Sequence, residues 1–261
     1  MLSICFPTRK KGNPSWKLKD FLDSLEDNTT RDEKKLVEVI LKFDHDDDDP
    51  PDFVVNNKYS FEIKTTRFAR GNGRRDMHIA TSYLISLRNP LTKFVMASSD
   101  DMVFTRPFVK QILSYGDYSI IGGGVHPTSF SKATLLSPDY RAWNSWDSHI
   151  GAYCPIWHVK ILEAISNNLI MCFYDWHTFA LVVALNLIYK VNIGKDIESF
   201  YDRNEIPGKE KEVKIFHEDA GPNYNLLEVP YHQGGHHPNY WTLLESQVRN
   251  IYLNMKYDNI I

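Results

Sequence analysis

The chain is poor in cysteine, in long apolar runs and in excess charge of either sign. Only Cys5, Cys154 and Cys172 occur among 261 residues. That odd, widely spaced set argues against a disulfide framework and against a structural zinc site, and a reducing interior is the expected setting. No stretch approaches the roughly 18 to 20 apolar residues that a spanning helix needs, and Lys10 and Lys11 arrive before a secretory signal core would be complete. The sequence therefore reads as soluble and cytoplasmic, with no integral membrane span. Thirty Lys and Arg against 33 Asp and Glu leave a formal charge of −3. Such a balance excludes a surface wholly committed to nucleic acid, and no nucleic-acid partner is expected. Internal repeats are missing too, and the one low-complexity tract, Asp46 to Pro51, is short enough to be a surface loop. What is present is a core: 43% of residues are hydrophobic and 13% aromatic, enough for one α/β domain with an appended C-terminal part, or for two small domains.

Read along the chain, Leu2 to Phe6 is a β-rich run closed by Pro7-Thr-Arg9. Ser15 is placed to cap a helix starting near Trp16, with Leu18, Phe21, Leu22 and Leu25 at helical spacing. A second apolar run, 36–43, ends in Asp44-His-Asp46. A third strand is expected over 59–66, followed by the basic loop Arg67-Phe-Ala-Arg-Gly-Asn-Gly-Arg-Arg75. Helices are predicted over 77–87, 108–115, 157–165, 175–188 and 241–253, and a strand over 118–121. Gly122-Gly-Gly124 reads as a turn, 129–150 as a loop over the sheet edge, and 194–214 as polar and patternless. This alternation predicts a mainly parallel, doubly wound sheet flanked by helices, with loops gathered at one edge.

The stretch Lys93 to Phe104 carries the most chemistry. An apolar run of strand length delivers Asp100 and Asp101 to a strand end, the place where open α/β sheets bind ligands. Adjacent carboxylates there suit a hard divalent cation, Mn²⁺ or Mg²⁺, shared with a diphosphate. Taken alone, the pair reads first as a solvated turn capping the next helix, so its neighbours must decide.

Phe6-Pro-Thr-Arg9 after the first strand, Leu22-Asp-Ser-Leu25 in the first helix, Val37 to Asp44 as the second strand, Ser99-Asp-Asp101 and Asp175-Trp176 occur in an order that resembles a nucleotide-sugar glycosyltransferase of the GT-A fold, close to the family 2 type, over most of 2–220. The resemblance implies a GT-A domain over 1–220, with a nucleotide-binding half at 1–101 and an acceptor-binding half at 102–220. An irregular extension with a terminal helix follows at 221–261. It further implies an enzyme that moves a sugar from a nucleoside-diphosphate sugar donor to a glycan or other hydroxyl acceptor, with inversion and with a divalent metal. Pro7, Thr8, Arg9, Asp44 and Asp46 would line the nucleotide pocket, with Asp44 accepting hydrogen bonds from the base. Arg67, Arg70, Arg74 and Arg75 lie where one of them would reach phosphate, and Asp100 would sit beside it. Asp101 would hold the metal, since Ser99 replaces the first acid of the usual Asp-X-Asp motif, and His217, after the β-like run Val213 to Phe216, would complete the coordination. Asp175 would be the base that takes the acceptor's proton, with Trp176 walling the sugar site and Trp143 and Trp146 offering flat faces to the acceptor. His232, His236 and His237 lack the spacing of a helical zinc site.

Two other readings stay open at this stage. Asp52, Glu62 and Lys64 have the look of the PD-(D/E)xK metal-dependent nuclease signature, in which two acids hold Mg²⁺ and the lysine assists water attack. A non-catalytic nucleotide-sugar-binding protein would keep the pocket and dispense with Asp175 as a base.

Overall fold

The computed structural model describes residues 1–13, 16–56, 58–69, 77–98, 102–122, 155–170, 174–196 and 240–261. Its centre is a seven-stranded sheet of β1 (Leu2–Pro7), β2 (Val37–Asp44), β3 (Glu62–Phe68), β4 (Phe94–Ala97), β5 (Ile120–Gly122), β6 (Ile156–His158) and β7 (Gly194–Asp196), in the order β3-β2-β1-β4-β6-β5-β7. β1 pairs in parallel with β2 and β4, β2 with β3, and β5 with β7, whereas β6 runs antiparallel to both β4 and β5. The helices are α1 (Leu18–Asp27), α2 (Arg31–Lys34), α3 (Asp52–Val55), α4 (Met77–Ser86), α5 (Val109–Leu113), α6 (Val159–Ala164), α7 (Tyr174–Tyr189) and α8 (Tyr240–Tyr257). The α/β architecture expected from the alternation of elements is the one observed.

Strand alternation sends each side chain to one of two cores. Leu2, Ile4 and Phe6 of β1 and Val37, Val39, Leu41 and Phe43 of β2 pack with Leu18, Phe21, Leu22 and Leu25 of α1 on one face. Cys5, Ile40, Val95 and Trp157 pack with α6, α7 and α8 on the other. β1 and β2 are buried along almost their whole length, as strands covered on both faces must be, which is why they read as apolar runs. The terminal helix, expected within an extension, places Leu244, Val248, Ile251 and Met255 in the same core as α7.

Several local expectations shift. α1 begins at Leu18 with Lys17 at its N-cap and no side-chain cap, and Ser15 lies outside the described residues. β3 starts at Glu62 because Tyr59 and Phe61, whose apolar character suggested strand, are instead a stacked pair with centroids 5.4 Å apart, buried in the α1-side core. The helix expected over 157–165 opens as strand β6. Trp157 is fully buried there and donates from Nε1 to Thr178 Oγ1 of α7 at 2.9 Å. The helix itself begins only at Val159, after His158 caps it by accepting from Lys160 N at 3.3 Å. β7 arises from a polar stretch without periodicity. Both strands span only three residues, too few for a period-two pattern to emerge. No helix among the described residues is long and apolar enough to cross a membrane.

Candidate functional site

The carboxyl ends of β1, β2, β3 and β4 lie side by side, since these four strands are parallel and adjacent. The sequence continues the ladder past β1: Thr8 N donates to Lys42 O at 2.8 Å, and buried Thr8 Oγ1 accepts from Trp16 Nε1 at 2.8 Å. Arg9 is thereby carried to the end of β2. Its Nη1 donates to Asp44 Oδ2 and Asp46 Oδ1, each at 2.7 Å, its Nη2 to Asp46 Oδ2 at 3.0 Å, and its Nε to Lys11 O at 3.0 Å. This two-pronged pairing holds the Asp46 carboxyl at a pKa of about 2 and raises that of Arg9. Asp47 receives the backbone N–H groups of Lys10 and Lys11 at 2.9 and 2.8 Å. The loops after β1 and β2 are thus one ion-paired unit.

Behind it lies a buried pair. Lys42 and Asp44 stand two residues apart on one face of β2, and the ammonium donates to Asp44 Oδ1. Their side chains are only 6% and 5% exposed. Asp44, expected to receive the base, is therefore also the counter-charge of Lys42 and a partner of Arg9. Breaking a buried pair by deleting one member leaves a charge stranded, a loss of about 3 to 5 kcal/mol. Asp44→Ala is expected to lower unfolding stability by that order in urea titration, and Asp44→Ala combined with Lys42→Met to recover most of it. Equal stabilities of the single and double variants would remove the buried-pair account. Asp46, with its side chain 55% exposed, is the cleaner probe of ligand contact.

Arg67, at the end of β3, has a different task from the phosphate contact expected of it. Its guanidinium donates to the carbonyls of Asp44, His45, Asp47 and Asp48 at 3.2 to 3.4 Å and to Asp49 Oδ1 at 2.7 Å. It staples the acidic loop to the neighbouring strand. Arg70, Arg74 and Arg75 lie outside the described residues, as do Asp100, Asp101, Trp143, Trp146, His217, His232, His236 and His237. The approach to the acidic pair is described: β4 ends at Ala97, and Ser98 N donates to Cys5 O at 3.0 Å. β4 therefore ends at the carboxyl edge beside β1. Asp175 and Trp176 fall in the first turn of α7.

Two residues of the nuclease-like signature, Glu62 and Lys64, sit at the start of β3 with their charged groups 3.9 Å apart, and Lys64 is held more closely by a third acid. Lys64 Nζ is bound to Glu38 Oε2 at 2.6 Å, and Glu62 pairs in register with Glu38. Fully buried Glu38 also accepts from Ser3 Oγ, from Asn89 N at 2.7 Å and from Thr92 Oγ1 at 3.3 Å. Burial would raise its pKa, but these bonds hold it below the usual carboxylate range. The cluster ties the amino ends of β1 and β2 together, at the opposite end of β2 from Asp44. No group of three or more His, Cys, Asp or Glu placed to hold a metal ion occurs among the described residues.

Sequence reasoning missed Lys42 and Trp16. A lysine inside a strand buried on both faces was a usable signal, because such a charge demands a partner, and the acid two residues on shares its face. Trp16 carried no such mark.

A sheet of this order, with one antiparallel strand and helices on both faces, is a GT-A-type fold. Among solved structures the chain is similar to S. aureus TarS 1–349 in complex with UDP (TM-score 0.52, 16% identity, covering 77% of this chain and 59% of that one). It is similar also to the same fragment in complex with UDP-GlcNAc (0.52, 15%, 77% and 57%) and to S. aureus TarS (0.51, 13%, 88% and 40%). The chain thus spans 59% or less of the length of these structures. At such identities the likeness is one of fold. No protein-family model and no curated protein matches the chain.

Proposed function

We propose that the protein is a glycosyltransferase that moves a sugar from a nucleoside-diphosphate sugar to a glycan or other hydroxyl acceptor, with inversion. The observation that carries this reading is the carboxyl edge. There Thr8, Arg9, Asp44 and Asp46 meet at the ends of β1 and β2, beside the strand that leads to Asp100 and Asp101. The shared fold supports it, because TarS structures of the same fold hold UDP and UDP-GlcNAc.

In this reading 1–101 binds the nucleotide and 102–220 the acceptor. Asp44 and Asp46 accept from the base, Pro7 and Thr8 line its pocket, and Arg9 pairs with both acids. Arg67 shapes the loop, leaving Arg74, with Arg70 and Arg75, to contact phosphate. Carboxylate and imidazole donors suit a divalent cation. Asp101, with Asp100 beside it and His217, would hold Mn²⁺ or Mg²⁺, which when bound neutralises charge on the departing diphosphate. Asp175 takes the acceptor's proton, while Trp176, Trp143 and Trp146 flank the sugars.

Isothermal titration of UDP with Mn²⁺ and with EDTA tests the proposal. Binding should require the metal and disappear in Asp101→Ala, with Asp100→Ala measured beside it. Equal affinity in Mn²⁺ and EDTA would overturn the metal role, and no binding of any nucleoside diphosphate would overturn the function.

A further inference from the structure

One buried hydroxyl at the carboxyl edge has nothing to bond. Ser98 follows β4 directly and is 2% exposed, and its Oγ has no hydrogen-bond partner among the described residues. Its backbone N donates to Cys5 O of β1 at 3.0 Å, so the ladder between the two strands continues past Ala97. Phe94 and Met96 of β4, and Ile4 and Phe6 of β1, belong to the α1-side core. By strand alternation Ser98 takes the next place in that row, as Thr8 does on β1. The two hydroxyls differ in their company. Thr8 Oγ1 receives Trp16 Nε1 at 2.8 Å, whereas Phe94, Met96 and the neighbouring Phe6 offer no polar side-chain atom to Ser98. Burying a hydroxyl that bonds to nothing costs stability, and alanine at the same place would avoid that cost. A ligand that supplies the missing bond accounts for the serine.

The position of Ser98 selects the part of the ligand. In the strand order β2-β1-β4, the acids assigned to the base end a strand two places, about 10 Å, away. Asp100 and Asp101, assigned to the diphosphate and its metal, follow Ser98 within three residues. Between base and diphosphate a nucleotide carries its ribose, whose hydroxyls both donate and accept. Rotation about χ1 re-aims a serine Oγ between staggered positions without moving the backbone. We propose that Ser98 is a ribose-binding residue, its Oγ bonded to a hydroxyl of the donor's sugar ring. This rests on the nucleotide-sugar reading of the carboxyl edge.

The test compares Ser98→Ala with wild type in the full chain, by urea unfolding and by isothermal titration in Mn²⁺. The ligands are UDP, 2′-deoxy-UDP and 3′-deoxy-UDP, or the same three forms of GDP if the wild type prefers that base. Alanine should leave stability equal or higher, because it removes an unsatisfied hydroxyl. The ribonucleotide should bind the variant about fivefold or more weakly. One of the two deoxy forms should bind variant and wild type within about twofold of each other, which assigns the bond to the hydroxyl that this form lacks. Unchanged ribonucleotide affinity, equal weakening of all three ligands, or a clear loss of stability would overturn the ribose contact and leave the transferase reading standing. A wild type that binds no nucleoside diphosphate would overturn both.

Discussion

Asp175→Asn should leave donor binding in place and cut turnover by about two to four orders of magnitude, the usual weight of a general base. The substitution keeps the shape of the side chain and an oxygen able to cap, and removes only the basic charge. It therefore separates the two duties an acid can have in the first turn of α7. If Asp175 merely favours the helix start, Asn serves nearly as well and turnover stays near wild type. A non-catalytic binding protein would show no turnover in either form. Product configuration, read by NMR, provides an independent check, since retention of the donor's anomeric configuration would exclude a one-step displacement assisted by a single base.

Acid should weaken the fold well before its carboxylates are protonated. Burial pulls His158 to about 4, against the opposing pull of Asp117 at 3.2 Å, and pulls His177 to about 3. Both folded values lie below the unfolded one, near 6.5, so between pH 6.5 and 4 the unfolded chain binds protons that the native one refuses. Stability contributed by these rings is complete above about pH 6.5 and is lost as the pH falls through that window, at about 1.4 kcal/mol per pH unit for each ring. Two rings together give a loss of several kcal/mol by pH 5 to 4. Urea titrations at pH 7, 6 and 5 measure the slope, and His158→Gln should roughly halve it whatever it does to stability at pH 7. A flat profile over this range would contradict the burial of both rings.

β1, β2 and β4 were legible because each is a largely apolar run that ends in polar residues, and parallel strands covered on both faces leave that trace, whereas the edge strand β3 is mostly polar and was expected from apolar residues that lie just before it. Asp44 and Arg9 were found for the same reason: a strand end is a place the sequence marks. What those residues do to one another was harder to see. That Arg9 spans Asp44 and Asp46, and that Arg67 closes over the acidic loop, depends on how neighbouring strands are aligned, a relation between residues 35 and 23 positions apart. β6 and β7 escaped because three-residue strands are defined by their partners. The tie from Gln247 to Asn168 spans 79 positions, and nothing local in either segment announces it.

The placement of α8 also bears on how the chain is made. β1 gains β2 and β4 as neighbours once residue 97 is available, so that half of the sheet, with α1 already at hand, can consolidate early in synthesis. The opposite face has no such option. Its core takes Leu244, Val248, Ile251 and Met255 from the eighteen-residue α8, and Asp258 just beyond it receives Lys160 Nζ at 2.7 Å and Tyr118 OH at 2.9 Å. Until the ribosome releases α8, the part of this core that α8 covers faces water or a chaperone, and a ribosome stalled before residue 240 would hold a chain with one finished face and one still partly adhesive.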